Sequence, residues 1–201
     1  MTRYLTIGLL AEGPEDEIFL SSIAVRQLTR LASLASAPFD VADTPQRAEA
    51  STARTAHDLL TDEAVDLATT CDLLLVHNDY RERGKIDKLH RDVVLPSDCR
   101  MVGIVPVRET EAWLLADSEL LRSLPGVVES ALPWKGEPTG AQVERVSDPK
   151  ALLAAVLPGY DTRLLAELLG QRIDLHRLHA LPSYQQWCVE LTAALKELHF
   201  L

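Results

Sequence analysis

Cysteine is scarce in this sequence: Cys71, Cys99 and Cys188 lie far apart, with no C-x-x-C pair and no short Cys/His cluster. Neither a disulfide framework nor a zinc site is indicated, and reduced structural thiols are expected. No apolar run approaches the roughly 18 residues needed to cross a bilayer, so no membrane partner is expected. The opening residues lack the basic segment, apolar stretch and small-residue cleavage site of an export signal, which makes a cytoplasmic location the expectation. A G-x-x-x-x-G-K-[ST] loop is missing, which counts against ordinary P-loop chemistry. Positive charge is also in deficit: 30 acids against 20 Lys and Arg give a net charge of -10. That balance argues against broad non-specific nucleic-acid affinity, which comes mainly from cations neutralising phosphates, but not against a local site.

What is present is ordinary for a globular protein, with 47% hydrophobic and 25% charged residues in 201. The length suits one sizeable core with an appendage. Residues 1–125 read as an α/β domain and residues 126–201 as a linker loop and helical extension packed on it. There is no internal repeat and no low-complexity tract.

Three apolar runs read as buried strands. The first, Leu5-Thr6-Ile7-Gly8-Leu9-Leu10-Ala11, breaks into Glu12-Gly13-Pro14-Glu15-Asp16-Glu17. Continuous apolarity, without strict alternation, suits strands of a parallel sheet covered on both faces. Gly13 permits a sharp turn, Pro14 suits the first position of a helix, and the acids after it suit the positive end of the helix dipole. Ile18, Phe19, Ile23, Ala24, Leu28 and Leu31 recur at helical spacing, predicting a helix over residues 14–34. Phe39-Asp40-Val41-Ala42 is a candidate edge strand, and residues 46–70, free of Gly and Pro, read as a helix.

The second run, Cys71 to Val76, ends in His77-Asn78-Asp79 and leads to a basic loop and a helix over residues 86–94. Arg81, Arg83, Lys85, Lys88 and Arg91 crowd this segment, so the basic charge is local. The third run, residues 101–107, ends in Arg108-Glu109-Thr110-Glu111 and is followed by a predicted helix over 111–124 carrying Trp113 and Leu114. Residues 125–149 are rich in Gly and Pro and read as a loop. Helical periodicity returns over 151–156, 161–169 and 184–198. The apolar face of this tail is open to two accounts, core packing or contact with a second copy or partner.

Acids therefore follow three candidate parallel strands: Glu12, Asp79, and Glu109 with Glu111. Such strand ends lie along one edge, where ligands bind in open α/β sheets. Carboxylates gathered there repel one another unless a cation intervenes, and an all-oxygen set suits Mg²⁺ or Mn²⁺. The bland alternative is that these acids are polar loop residues and helix caps. His77 reads either as a ligand or base, or as a histidine bonded to a neighbouring loop. Arg81, Arg83 and Lys85 read as phosphate-backbone contacts or as a solvated basic loop. His176 and His179, three apart, read as surface residues.

Glu12-Gly13 after a buried strand, with Asp16 four residues on and an acidic signature after a later strand, resembles the TOPRIM domain of OLD-family and RloB-like nucleases. The later segment Glu109-Thr110-Glu111-Ala112-Trp113-Leu114-Leu115-Ala116-Asp117, followed at a distance by Asp148-Pro149-Lys150, resembles small TOPRIM-like proteins of bacterial phage-defence loci. The resemblance spans roughly residues 4–152. It implies a Rossmann-like, mostly parallel sheet flanked by helices, and a Mg²⁺- or Mn²⁺-dependent nuclease working with a partner such as an ATPase. By that resemblance Glu12 is a metal ligand or general acid/base, Asp16 the second acid of a Glu-x-x-x-Asp pair, and Asp79 the second acid of an Asp-x-Asp pair. Glu111, or alternatively Glu109, is the downstream metal-binding acid, and Lys150 the lysine that neutralises transition-state charge. The chain departs from the pattern at His77, which stands where the first acid of Asp-x-Asp belongs. A non-catalytic module that binds metal or nucleotide as an interaction subunit is the alternative that this departure favours.

Overall fold

A computed structural model describes residues 3–79 and 83–201, Arg83 by its backbone alone. In chain order the elements are β1 (Arg3–Leu5), β2 (Ile7–Leu10), α1 (Pro14–Leu34), β3 (Phe39–Val41), β4 (Gln46–Arg47), α2 (His57–Ala68), β5 (Leu73–His77), α3 (Arg83–Asp92) and β6 (Arg100–Ile104). Then come α4 (Glu111–Leu114), α5 (Ser118–Arg122), a 3₁₀ turn at Glu129–Ala131, α6 (Gly140–Glu144), α7 (Pro149–Val156), α8 (Thr162–Arg172), α9 (Leu175–Leu178) and α10 (Pro182–Glu197).

The main sheet runs β4-β2-β5-β6 with every pairing parallel, and β1 pairs with β3, also in parallel. This is a Rossmann-like α/β fold with helices on both faces. Parallel neighbours need crossovers, and α1, α2 and α3 supply them. The strands divide their side chains between two cores. Leu9, Leu73, Leu75, Val102 and Ile104 join the cluster under α1, α8 and α10. Leu10, Leu74, Val76 and Met101 join the smaller one under α2 and α3.

The first apolar run is two strands, not one. Thr6 interrupts it because its backbone N–H and its hydroxyl both donate to the Asp72 carboxylate, at 2.7 and 2.6 Å, and Asp72 N–H donates back to the Thr6 hydroxyl at 2.9 Å. The helix expected over 46–70 forms only in its second half. Ahead of it, β4 adds to the edge of β2, and the next residues keep to that edge through Ala48 N–H to Leu9 C=O (3.2 Å) and Thr52 N–H to Ala11 C=O (3.1 Å). Sheet-edge pairing there outweighs helix propensity, a weak prior worth only tenths of a kcal/mol per residue. β6 stops at Ile104, so Glu109 and Glu111 stand beyond a loop and not at the strand end itself. The helix expected over 111–124 is broken into α4 and α5 by Asp117. Its buried carboxylate caps Leu120 N–H at 2.9 Å and also accepts from Asp174 N–H at 3.0 Å, ahead of α9.

The C-terminal helices share the larger core with the sheet. α8 lies along α1, and Arg26 of α1 donates to Gly170 C=O and Ile173 C=O at 2.8 and 2.6 Å, placing a cation on the carbonyl end of α8. Trp113 of α4 meets Tyr184 and Trp187 of α10 with ring centroids 5.0 and 5.9 Å away, and its indole N–H donates to Ser183 at 2.9 Å. At the start of α6, a Cβ on Gly140 would lie 1.8 Å from the Ala180 carbonyl oxygen. Only glycine permits that backbone approach. Gly140→Ala is expected to cost at least about 1–3 kcal/mol in urea unfolding, as overpacked sites do; an unchanged midpoint would refute the close approach.

Candidate active site at the carboxyl edge of the sheet

Because β2, β5 and β6 are parallel and adjacent, their carboxyl ends open on one side of the sheet. Leu10 pairs with Val76 and His77 with Ile104, so Glu12 emerges beside Asn78 and Asp79. One Glu12 carboxylate oxygen accepts the Asp79 backbone N–H at 3.1 Å. The Glu12 carbonyl accepts the Ser51 hydroxyl, at 2.5 Å. A single cavity of about 520 Å³ lies in front of them, lined among others by Glu12, Asp16, Asp79, Glu109, Glu111 and Lys150. Six of the residues expected from the sequence therefore meet in one place.

Each acid arrives by a different local device. Asp16 sits in the first turn of α1, and its carboxylate folds over Gly13 so closely that a Cβ there would be 3.2 Å from it. Glu109 and Glu111 are brought back from β6 by a loop in which Arg108 holds a left-handed φ of 71°. That conformation is strained for a residue with a side chain, and such strain clusters at functional sites. One Glu109 carboxylate oxygen is buried with no hydrogen-bond partner. Lys150, the second residue of α7 and 73% exposed, holds its ammonium 3.9 Å from Glu111.

His77 takes a different part from the one a ligand would play. It is fully buried and does not line the cavity. Its Nδ1 accepts the Glu12 backbone N–H at 3.4 Å, so the proton resides on Nε2, which donates to the Thr110 hydroxyl at 3.0 Å. Burial pushes its pKa down, against the pull of Asp16 and Glu12, and keeps the ring neutral. With both nitrogens engaged, the imidazole ties the turn after β2 to the loop after β6 and leaves no lone pair for a metal. Behind it, the Thr52 hydroxyl donates to His77 C=O at 2.8 Å, and Lys85 donates to Thr52 C=O at 3.2 Å. Lys85 thus reaches the back of the site and not the cavity. Arg81 lies outside the described residues, as does the side chain of Arg83.

The cavity is electrostatically frustrated. Burial first, then Glu12, Asp16, Glu111 and Glu109, raise the Asp79 carboxyl from its ordinary 3.8 to about 8. Glu111 is raised as well, chiefly by burial, with Lys150 opposing the shift. Asn78, between His77 and Asp79, is completely buried with neither amide atom hydrogen-bonded, a cost of about 1–3 kcal/mol. Among the described residues no three His, Cys, Asp or Glu are already gathered as a metal cluster; the acids surround the cavity without closing on one point. Their chemistry nonetheless fits a hard divalent cation. The donors are carboxylate oxygens, and a cation would offset the burial and the neighbouring charges that raise the Asp79 carboxyl.

Several participants gave little signal in the sequence. Thr110, between two acids, carries no signal of its own in the sequence, yet it both bonds His77 and lines the cavity. Arg54 falls in a stretch that reads as helix, yet it lies in the loop before α2 and lines the cavity. Glu15, equally acidic in pattern, also lines the cavity but faces α8, 3.4 Å from the Thr162 hydroxyl and 3.9 Å from Arg163. His176 and His179 stand away from the site, in α9 and just after it.

Fold and cavity together define a Rossmann-like α/β protein with an acidic cleft at the carboxyl edge of its parallel sheet. The chain belongs to the DUF4276 family, a domain of unknown function, whose profile matches residues 11–192. No curated protein and no solved structure matches it significantly. Among the described residues no helix is long and apolar enough to cross a membrane.

The raised Asp79 carboxyl has a thermodynamic consequence. A carboxyl that binds its proton more tightly folded than unfolded makes stability fall as pH rises between its two pKa values. In EDTA, the thermal midpoint should therefore fall as pH rises from about 4 toward 8. Asp79→Asn should flatten that slope, and Mg²⁺ or Mn²⁺ should raise the wild-type midpoint most at the alkaline end. Parallel pH profiles for wild type and variant would refute the assignment.

Proposed function

We propose that this chain is a divalent-metal-dependent phosphodiesterase of TOPRIM-like type, acting as a nuclease on DNA or RNA. The observation that carries this is the meeting of Glu12, Asp16, Asp79, Glu109 and Glu111 on one cavity at the carboxyl edge of the sheet. Asp16, Asp79, Glu109 and Glu111 would hold Mg²⁺ or Mn²⁺, which when bound supplies Lewis acidity at a phosphoryl oxygen. In the hydrolysis a water oxygen bonds to phosphorus as the bond from phosphorus to one sugar oxygen breaks, and the departing oxygen ends with a proton. Glu12, oriented by the Asp79 N–H, is the base in this scheme. Lys150 and Arg54 bring the positive charge that a phosphate needs in an acidic cleft. His77 and Thr110 keep the two acid-bearing segments in register.

The net charge of -10 opposes unaided binding to nucleic acid. A protein partner such as an ATPase, loading the chain onto its substrate in a defence system, belongs to the same proposal and is supported by the TOPRIM-like resemblance alone. A second reading, a non-catalytic module that binds metal or nucleotide, is favoured by His77, a buried neutral ring where the resemblance calls for an acid.

The purified protein, with plasmid, single-stranded DNA and RNA, should cut at least one of them in Mg²⁺ or Mn²⁺ and none in EDTA. Glu12→Ala and Asp79→Ala should each lower the rate by at least about a hundredfold, as loss of a key electrostatic group does. If wild type and both variants are equally inert with every substrate and metal, with and without the product of the neighbouring gene, the nuclease assignment is wrong.

A further inference from the structure

The cleft has an unlike lining. Glu12, Asp16, Asp79, Glu109 and Glu111 bring carboxylates to it, with Glu15 beside α8. Leu114 of α4, Leu153 of α7, and Leu165 and Ala166 of α8, largely buried in the core, form an apolar wall. Exposed Arg54 and Thr162 are among the residues that line it from the solvent side. The apolar wall is held in place. Arg26 fastens the carbonyl end of α8 to α1 with two hydrogen bonds, and near the other end Glu15 faces Thr162 and Arg163.

Size and chemistry then limit what enters. A volume of about 520 Å³ lies in the range of sites that enclose one small ligand, about 300–1,000 Å³. A cleft of that volume has room for one nucleotide unit and not for a base-paired segment. A nucleobase suits the leucine wall, as extruded bases suit apolar pockets elsewhere. A phosphate suits the opposite composition: Arg54, Lys150, and the hydroxyl of Thr110. That hydroxyl accepts from His77 Nε2, so its own proton is left to point at another acceptor.

We propose that the cleft takes one nucleotide unit at a time, base against Leu114, Leu153 and Leu165 and phosphate beside Arg54, Lys150 and Thr110. The substrate is thus the unpaired end of a strand or a short oligonucleotide, and not the interior of a duplex. This specificity rests on the phosphodiesterase assignment above, whereas the pocket's preference for a base does not.

The test has a binding arm and a cleavage arm. By calorimetry in Mn²⁺, a nucleoside monophosphate should bind at least about tenfold more tightly than ribose 5-phosphate, which lacks the base, in keeping with the burial of apolar surface. Thr162→Trp, at an exposed position on the lining, should weaken nucleotide binding about tenfold or more while the far-UV circular dichroism spectrum stays that of the wild type. Equal affinity for the two ligands, or no effect of Thr162→Trp, would overturn the pocket assignment. In the cleavage arm a linear single strand, the same strand circularised, a dinucleotide and a covalently closed duplex are compared. Preference for the linear strand marks strand ends as the source, and preference for the dinucleotide marks small nucleotides; either supports the inference. A closed duplex cut as fast as the linear strand overturns it while leaving a phosphodiesterase in place. Base-dependent binding with no cleavage of anything removes the phosphodiesterase assignment and keeps the nucleotide pocket.

Discussion

Burial of several carboxylates on one cavity is the constraint on which the rest of this structure turns. A parallel sheet sends its strands out on one edge, and here that edge collects Glu12, Asp79 and, by way of a loop, Glu109 and Glu111, with Asp16 added from the first turn of α1. Charges of one sign sharing a cavity and partly removed from water must be compensated. Burial, reinforced by the neighbouring acids, raises the Asp79 carboxyl to about 8, so a proton is the compensation open to the isolated protein. A divalent cation is the natural replacement for that proton, since it neutralises more charge and accepts oxygen ligands from several directions.

Holding the acids together requires scaffolding that is itself neutral. His77 serves that purpose. Its ring accepts from the backbone of Glu12 and donates to Thr110, so it joins two segments without adding charge. Burial keeps it so, because a charged imidazole would lose its hydration. The unpartnered amide of Asn78 and the left-handed Arg108 lie in the same neighbourhood. Local rules of satisfaction and backbone comfort are broken together here, and folded proteins tend to break them at sites that do chemistry.

The C-terminal helices matter as much as the sheet. Without α7 and α8 the acids would face open solvent; with them there is a bounded cleft whose far wall is apolar. Packing of α8 on α1 therefore stabilises the fold and gives the site its shape. Gly140 and the Trp113, Tyr184 and Trp187 cluster fasten α6 and α10 in the same arrangement. A residue such as Leu165, which reads as one more apolar position in a helix, becomes part of a binding surface through its place in the fold.

Strand and helix identity was legible wherever a single local signal dominated. Pro14 and the acids behind it mark the start of α1, the apolar runs mark β2, β5 and β6, and Pro149 and Pro182 open α7 and α10. The acids were legible as well, since carboxylates that follow buried strands have few other places to go. Decisions that depended on partners distant in the chain were not legible. Thr6 breaks a strand because Asp72 is near, residues 46–47 join a sheet edge because β2 offers one, and Asp117 splits a helix because Asp174 needs an acceptor. His77 shows the division most plainly. Its position at the end of a strand is written in the sequence and allowed either a ligand or a structural link. Only the tertiary structure decided between them, because what an imidazole does depends on which groups meet its two nitrogens, and those come from residues 65 positions before it and 33 after it.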